Sequence, residues 1–260
     1  MTESLILFEK QNALGIITIN RPEKRNAFTF GMLRRLADLF TEADRDESIR
    51  ALVVRAEGTV FTAGLDLADV APHFMEGERP ILPDHVDPFG LFGRTRTKPL
   101  ITAVKGHCLT LGFELCLASD VCIVAKNTIF ALREVRMGIV PAGGGIPRLI
   151  QSAGWNTAMR YILTGDDIDA EQAAKLHLIT EIVETGQEVD RAFTLATSIA
   201  SQPPLAVRAA IEQAHTATYE GFSAAGATIP PAIQRLIRSD DAREAVMAAM
   251  QRRTPVFVGR

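Results

Sequence analysis

The sequence predicts an α/β fold built on a parallel sheet, and three observations support this. Short runs rich in Val and Ile recur in the first half of the chain, at 15–19, 51–56, 100–104 and 121–125. These runs are almost entirely apolar, as in strands that are covered on both faces. Helical patterns separate them. Since parallel neighbours need long crossover connections, the alternation predicts repeated βαβ units.

The elements follow in order. Apolar residues at helical spacing predict a helix over 30–44, with Leu33, Leu36, Ala37 and Phe40 on one face. Residues 111–118 are long enough for two helical turns between the last two strands. The segment 71–98 has four prolines and no sustained period, which predicts a long excursion that acts as a lid or binding loop.

Beyond residue 143 the pattern is mostly helical, with one further strand over 178–183. We expect Ala-rich helices separated by prolines, at Pro203 and Pro204 and again at Pro230 and Pro231. The segment 239–253 begins with acidic residues and ends with two arginines, which complements a helix dipole at both ends. Its apolar residues lie on several faces, so it is predicted to contact more than one surface.

Composition bounds the class of protein. The chain is 47% hydrophobic and 23% charged with a net charge of -3, which gives no general attraction to nucleic acid or to an anionic membrane. We find no secretory signal and no apolar run long enough to span a bilayer. The three cysteines lack CxxC spacing and lie in apolar segments, which favours buried thiols and a cytoplasmic location.

Glu114 lies among apolar and small residues in "CLTLGFELCLASD", whose only other carboxylate is the terminal Asp120. At the start of a helix, backbone N–H groups favour its anion while apolar neighbours disfavour it. Such opposing influences suit a proton-transfer group. The alternative is an exposed residue of a helix surface.

A second carboxylate, Glu134, precedes a Gly-rich turn in "PAGGGIPRL". Arg133 and Arg136 are close in sequence, so a surface ion pair is the alternative for Glu134. The turn lacks a Walker lysine and GxGxxG spacing, which argues against nucleotide binding. In "FTAGLDLADV", Asp66 can cap a helix and the Leu65 N–H can point to the end of a strand, where ligands bind in α/β sheets. GxSxG and HExxH motifs are absent from the sequence.

Five segments, taken in order, resemble the enoyl-CoA hydratase/isomerase (crotonase) superfamily. They are "ITINRPEKRNAF", "FTAGLDL", "KPLITAVKGHCLTLGFELCLASD", "FALREVRMGIVPAGGG" and "LTGDDIDAEQAAKLHLITEIV". The resemblance implies a crotonase-like spiral of ββα repeats over 1–198 and a C-terminal helical region over 199–260 that forms a homotrimer or a dimer of trimers. It also implies an acyl-CoA thioester substrate and requires no metal and no further cofactor.

The resemblance also implies roles for individual residues. Glu114 and Glu134 match the two glutamates that activate one water, and Ala142 matches a position whose N–H holds that water. Backbone N–H groups of Leu65 and Leu111 match the oxyanion hole, where each donor contributes about 3–4 kcal/mol to transition-state stabilisation. The positions that match contacts to coenzyme A are Arg25, Asn26, Ala27, Ala63, Gly64, Asp66, Leu67 and Ala68.

Two departures from the family pattern stand out. Ala68 replaces a frequent lysine, which leaves Lys24, Arg25, Arg252 or Arg253 to meet the phosphates. Thr110-Leu111-Gly112 replaces three glycines, so two side chains crowd the turn before Glu114.

The resemblance implies hydration of trans-2-enoyl-CoA, because both carboxylates are retained. An isomerase or another crotonase-type reaction is the nearest alternative. A homologue that binds acyl-CoA without turnover is kept open by the Thr110-Leu111 change. RNA binding is disfavoured by the net charge.

Overall fold

The computed structural model describes residues 4–260, and its central feature is a six-stranded sheet. Its strands are β1 Ile6–Gln11, β2 Leu14–Ile19, β3 Ala51–Ala56, β4 Leu100–Val104, β6 Val121–Ala125 and β9 Glu181–Val183, in the order β1-β2-β3-β4-β6-β9. β1 and β2 are antiparallel, and all later pairs are parallel. The predicted α/β class is confirmed.

A second, three-stranded sheet comprises β5 His107–Leu109, β7 Ile129–Ala131 and β8 Ile168–Asp169. The helices are α1 Phe30–Arg45, α2 Leu67–Met75, α3 Leu111–Ala118, α4 Gly145–Ala153, α5 Trp155–Thr164, α6 Ala170–Lys175, α7 Glu188–Ala200, α8 Pro204–Tyr219, α9 Phe222–Ile237 and α10 Asp240–Gln251. Predicted strands 51–56, 100–104 and 121–125 have these same bounds. The last predicted strand is shorter, because the Leu178 N–H bonds to the Ala173 carbonyl of α6 and only Thr180 reaches β6, at Cys122, before the strand begins.

Parallel pairing of β5 with β7 determines where the later site lies. Leu109 lies opposite Ala131 in this pair, and the Thr110 N–H continues it by donating to the Ala131 carbonyl at 2.7 Å. The segments that follow β5 and β7 therefore both begin at the same edge of this sheet. One strand leads into α3, and the other leads into a 3-10 turn over Glu134–Met137.

The predicted lid segment is partly helical and is anchored to the core. α2 occupies its first residues, and the rest is held by Asp87, a fully buried carboxylate. Asp87 accepts hydrogen bonds from the backbone N–H groups of Phe89, Leu91 and Phe92 at 2.8, 2.7 and 2.6 Å. This turn aims the side chains of Phe89 and Phe92 toward the space beside α3.

The C-terminal part is helical, as the sequence predicts. α7 packs on the sheet through the buried Ala192 and Ala196, and α8 packs along α9. The prediction that Pro230 and Pro231 separate helices is wrong, because both lie inside α9. Each removes only one backbone donor, and the packing of α8 along α9 supports the continuous helix. Within residues 4–260, none of the helices is both long and apolar enough to cross a bilayer.

Candidate active site

Glu114 lies in the first turn of α3 and is only 1% exposed. One oxygen, Oε1, accepts hydrogen bonds from the backbone N–H groups of Gly143 and Gly145, each at 2.8 Å. A Cβ atom at Gly145 would lie 3.1 Å from this oxygen, so the glycine permits the close approach. The alternative of an exposed helix residue is excluded, and Glu114 is a buried carboxyl group that is hydrogen-bonded through one oxygen.

Glu134 begins the 3-10 turn after β7 and is 6% exposed. Its Oε2 is buried and has no hydrogen-bond partner in the part of the chain that the structure describes. The two neighbouring arginines bind elsewhere: Arg133 pairs with Asp167 at 2.6 Å and Arg136 with Asp166 at 3.0 Å. The surface ion pair considered for Glu134 is therefore not formed.

The two carboxyl groups influence each other electrostatically. Burial raises the pKa of Glu134 to about 7, and the charge of Glu114 contributes in the same direction. Burial also raises the pKa of Glu114, although the N–H groups of Gly145, Gly143 and Ala142 and the charge of Arg148 oppose this. A pair of this kind holds a proton near neutral pH, so an acid and a base are present together.

Leu65 supplies a backbone donor in the loop that leads into α2. The chain around it runs parallel to residues 25–28, with the Phe28 N–H bonded to the Gly64 carbonyl at 2.8 Å. The Gly64 N–H is bonded to Thr62 Oγ1 at 3.0 Å. Across residues 4–260, the Leu65 N–H donates no hydrogen bond.

Leu111 supplies a second donor of the same kind. It is the first residue of α3, where a backbone N–H has no helical partner, and none of the described residues accepts from it. The residue before it, Thr110, has φ +50° and ψ −120°, a conformation that a β-branched residue rarely adopts. Thus a threonine takes up the backbone turn that a glycine would adopt easily, and the N–H of Leu111 stays free.

An apolar cavity of about 330 Å³ lies beside the two backbone donors, and neither Glu114 nor Glu134 is among its lining residues. Backbone donors Leu65 and Leu111 line it together with Ala142 and Gly143. Its remaining wall comes from α1, α2 and the lid segment, through the residues Leu33, Phe74, Glu78, Arg79, Pro80, Ile81, Phe89 and Phe92. A cavity with mainly apolar walls and a few convergent polar groups is typical of a small-molecule site.

The positions predicted to contact coenzyme A lie on two adjacent backbone segments. The first segment contains Arg25 and Ala27, and the second runs from Ala63 into Leu67 and Ala68. The two are joined by the Ala63 N–H, which donates to the Arg25 carbonyl at 2.9 Å. Arg25 and Ala68 are exposed. Asp66 pairs with Arg21 at 2.8 Å, and this hydrogen bond lowers the pKa of Asp66.

Besides Asp66, two more residues considered for coenzyme A have side chains that are bonded within the chain. Asn26 is fully buried, and its side chain accepts from the Arg21 N–H and donates to the carbonyls of Glu57 and Val60. Its amide therefore ties the loop around Arg21 to the loop that follows β3. Arg253, considered for phosphate binding, is paired with Glu244 at 2.7 Å.

Sequence reasoning missed three contributors to this site. Gly143 and Gly145 bind Glu114, and Arg148 bonds to the Gly143 carbonyl at 2.9 Å. The sequence shows the run of glycines, but a contact with Glu114 could not be predicted because the two are separated by about 30 residues along the chain. Among residues 4–260 there is no cluster of three or more His, Cys, Asp or Glu suited to a metal ion.

The family model described as "Enoyl-CoA hydratase/isomerase" matches residues 9–260 of this chain. One similar relative is the 2,3-dehydroadipyl-CoA hydratase of Escherichia coli (strain K12). It is 32% identical over 261 residues, which cover 99% of this chain and 100% of the relative.

Solved structures agree with this match. A probable enoyl-CoA hydratase/isomerase from Mycobacterium abscessus superposes with a TM-score of 0.96 at 41% identity, with 99% of each chain covered. An enoyl-CoA hydratase from Mycobacterium tuberculosis H37Rv gives a TM-score of 0.90 at 34% identity, covering 99% of this chain and 100% of that one.

Proposed function

This chain belongs to the enoyl-CoA hydratase/isomerase family, and from that premise we propose that it hydrates trans-2-enoyl-CoA thioesters. The observation that carries the proposal is the coupled pair of buried carboxyl groups, Glu114 and Glu134. A hydratase must both remove a proton from water and deliver one to carbon. One shared proton at neutral pH provides both functions.

The proposed reaction places one water between the two carboxyl groups. As its oxygen bonds to C3 of the enoyl chain, one carboxylate takes a proton from the water. The electron pair of the C2–C3 double bond moves toward the thioester, and the protonated carboxyl group then supplies a proton to C2. The product is a 3-hydroxyacyl-CoA, and the carboxyl pair has again one proton in total.

Charge that develops on the thioester oxygen needs a stabilising site. The free N–H groups of Leu65 and Leu111 line the same cavity and are fixed by the backbone. Fixed donors of this kind require no reorganisation during the reaction, and their effect is large in a site that excludes water. The apolar wall of the cavity receives the acyl chain, while the segments around Arg25 and Ala63 receive the coenzyme A moiety.

The C-terminal helices support a proposal of a homotrimer or a dimer of trimers. They expose large apolar side chains on α9 and α10, namely Phe222, Ile229, Ile233, Ile237, Val246, Met247 and Met250. Large exposed apolar patches are typical of surfaces that bind another protein chain. Sedimentation of the purified chain would separate monomer, trimer and hexamer.

The decisive experiment for the function is hydration of enoyl-CoA substrates from four to sixteen carbons, followed by loss of enoyl absorbance. We expect hydration by the native chain and strong loss in Glu114→Gln and Glu134→Gln. Binding of a saturated acyl-CoA without hydration at any chain length would instead support a binding protein without turnover.

A second candidate, double-bond isomerisation, is favoured by one specific observation. Glu134 Oε2 has no partner among the described residues, whereas Glu114 is held by two backbone donors. One free base suffices to move a proton between C2 and C4 of an enoyl chain. Conversion of 3-enoyl-CoA to 2-enoyl-CoA without hydration, abolished by Glu134→Gln alone, would establish this reaction instead.

A further inference from the structure

Arg148, on α4, joins three separate parts of the chain. Its guanidinium donates to the Gly143 carbonyl at 2.9 Å and to the Phe89 carbonyl at 2.6 Å. A third hydrogen bond, at 3.2 Å, reaches the hydroxyl of Tyr219 on α8. No acidic partner of Arg148 is found among residues 4–260. Its donors are therefore directed to backbone carbonyls and one phenol.

The contact with Gly143 fixes the Gly-rich turn from its outer side. The amide N–H of Gly143 donates to Glu114 Oε1, and its own carbonyl accepts from Arg148. Gly144 allows this arrangement because a Cβ atom there would lie 2.4 Å from Arg148 Nη1 and its φ is +87°. The guanidinium thus holds the turn in the orientation that Glu114 needs.

The contact with Phe89 fixes the lid segment. Asp87 holds the Phe89 N–H, while Arg148 holds the Phe89 carbonyl, so both sides of this residue are fixed. The Phe89 ring lies against Gly143, where its Cδ1 is 3.1 Å from the position of a Cβ atom. The wall of the acyl cavity and the cradle of Glu114 are therefore joined through one guanidinium.

We propose that Arg148 is a positioning residue that couples the lid segment over the acyl cavity to the hydrogen-bond cradle of Glu114. Its fork of several N–H donors can hold two carbonyls in one plane, which the ammonium group of lysine cannot do in the same geometry. The proposal rests on the proposed function for its catalytic consequence, but the coupling itself is a property of the free protein.

The test compares Arg148→Ala and Arg148→Lys with the native chain by two readouts. The first is amide hydrogen exchange of the ligand-free protein at 86–93 and at 142–145. We expect faster exchange in both segments together, because each loses the same anchor. The second is the pH profile of hydration. Arg148 and Glu134 are the charged groups that act on the ionisation of Glu114 in this profile.

Removal of Arg148 should lower the turnover number, by up to about a hundredfold for a misplacement near 1 Å. The profile should also move to higher pH, because Glu114 loses a favourable charge and an oriented donor. Guanidinium chloride at a low concentration should restore part of the hydration rate of Arg148→Ala, whereas the same concentration of sodium chloride should not.

Two control variants leave this link in place. Tyr219→Phe removes only the contact with α8, and Arg160→Ala removes an exposed arginine that lies over the Tyr161 ring. Both should keep native exchange and the native profile. Faster exchange in only one segment, or a slower enzyme with an unchanged profile and no guanidinium rescue, would overturn the proposal. If the native chain hydrates no substrate, the proposed function fails while the exchange experiment still decides the coupling.

Discussion

Thr110 Oγ1 lies 1.7 Å from the point that a Cβ atom on Gly64 would occupy. The two residues belong to the two turns that present the Leu65 and Leu111 donors. Gly64 has φ +97° and Thr110 has φ +50°, so each backbone is in the left-handed region. Thr110 Oγ1 is buried without a hydrogen-bond partner among the described residues. The threonine therefore makes the glycine opposite it indispensable.

Gly64→Ala should destabilise the chain and abolish the proposed oxyanion site. The clash and the strained φ together cost about 2–6 kcal/mol by their separate ranges. Urea unfolding measures the loss of stability, and hydration of a short enoyl-CoA measures the loss of the Leu65 donor.

The double variant Gly64→Ala with Thr110→Gly should recover part of that loss. Thr110→Gly alone removes the unpartnered hydroxyl and relaxes the φ of residue 110, so we expect stability to be maintained. Equal destabilisation by Gly64→Ala in both backgrounds would contradict the steric link between the two turns.

The larger elements of this fold could be predicted from the sequence, because continuous apolar runs and helical spacing are local patterns. Strands 51–56, 100–104 and 121–125 were fixed by such runs. β1 was missed, since its edge position leaves most of its residues exposed and removes the apolar signal. Pro230 and Pro231 gave a wrong helix boundary, because the packing of α9 along α8 outweighs the local cost of proline inside the helix.

The site likewise has parts that could be predicted from the sequence and parts that could not. Glu114 was recognisable as a carboxylate in apolar sequence, but its partners Gly143 and Gly145 are backbone donors, which no side-chain pattern reveals. The role of Asn26 was predicted as a contact to coenzyme A. That contact stays a prediction; the amide itself binds the backbone of Arg21 and of the loop after β3, contacts that depend on the fold as a whole.

Replacement of either carboxyl group by an amide should remove hydration while the fold persists. Glu114→Gln and Glu134→Gln each eliminate one proton-transfer group, and the turnover number should fall about 10²–10⁴-fold. The affinity for a saturated acyl-CoA should change little. Stopped-flow hydration and calorimetric binding measure the two quantities.

Glu184→Gln is the matched control for these variants, because Glu184 forms an exposed ion pair with Lys126. It should hydrate as the native chain does. Full activity in Glu134→Gln would refute the two-carboxylate mechanism.

Stability should fall as pH rises through the interval between about 4.5 and 7. In this interval the folded Glu134 keeps a proton that the unfolded chain releases, because burial raises its pKa to about 7. Folding is therefore coupled to proton uptake, and a higher pH opposes it. Below pH 4.5 the group is protonated in both states and its contribution is constant.

Glu134→Gln should flatten this dependence and raise the free energy of unfolding at pH 8 by about 1–2 kcal/mol, a discounted value since solvent screens part of the effect. Urea titrations of the native chain and of this variant at pH 5 and pH 8 give the comparison. Glu184→Gln should keep the native slope, and an unchanged slope in Glu134→Gln would show that its carboxyl group titrates normally.

Truncation of Phe92 should impair long acyl chains more than short ones. Phe92 lines the cavity from the lid segment and is 57% exposed, so its ring has room to contact an acyl chain that extends past Leu111 and Phe89. Loss of about 40–80 Å² of apolar contact corresponds to about 1–2 kcal/mol, or roughly a tenfold fall in kcat/KM. A four-carbon substrate stays near the carboxyl pair and should react almost as in the native chain.

The measurement is kcat/KM for Phe92→Ala over four to sixteen carbons. Leu163→Ala, 66% exposed on α5 and outside the cavity, provides the control. A ratio of native to variant kcat/KM that rises with chain length and then levels off identifies the reach of the acyl chain along the lid. A uniform decrease at all lengths would place Phe92 in the support of the Asp87 turn rather than in contact with substrate, because a displaced turn would disturb every substrate through Phe89 and Gly143.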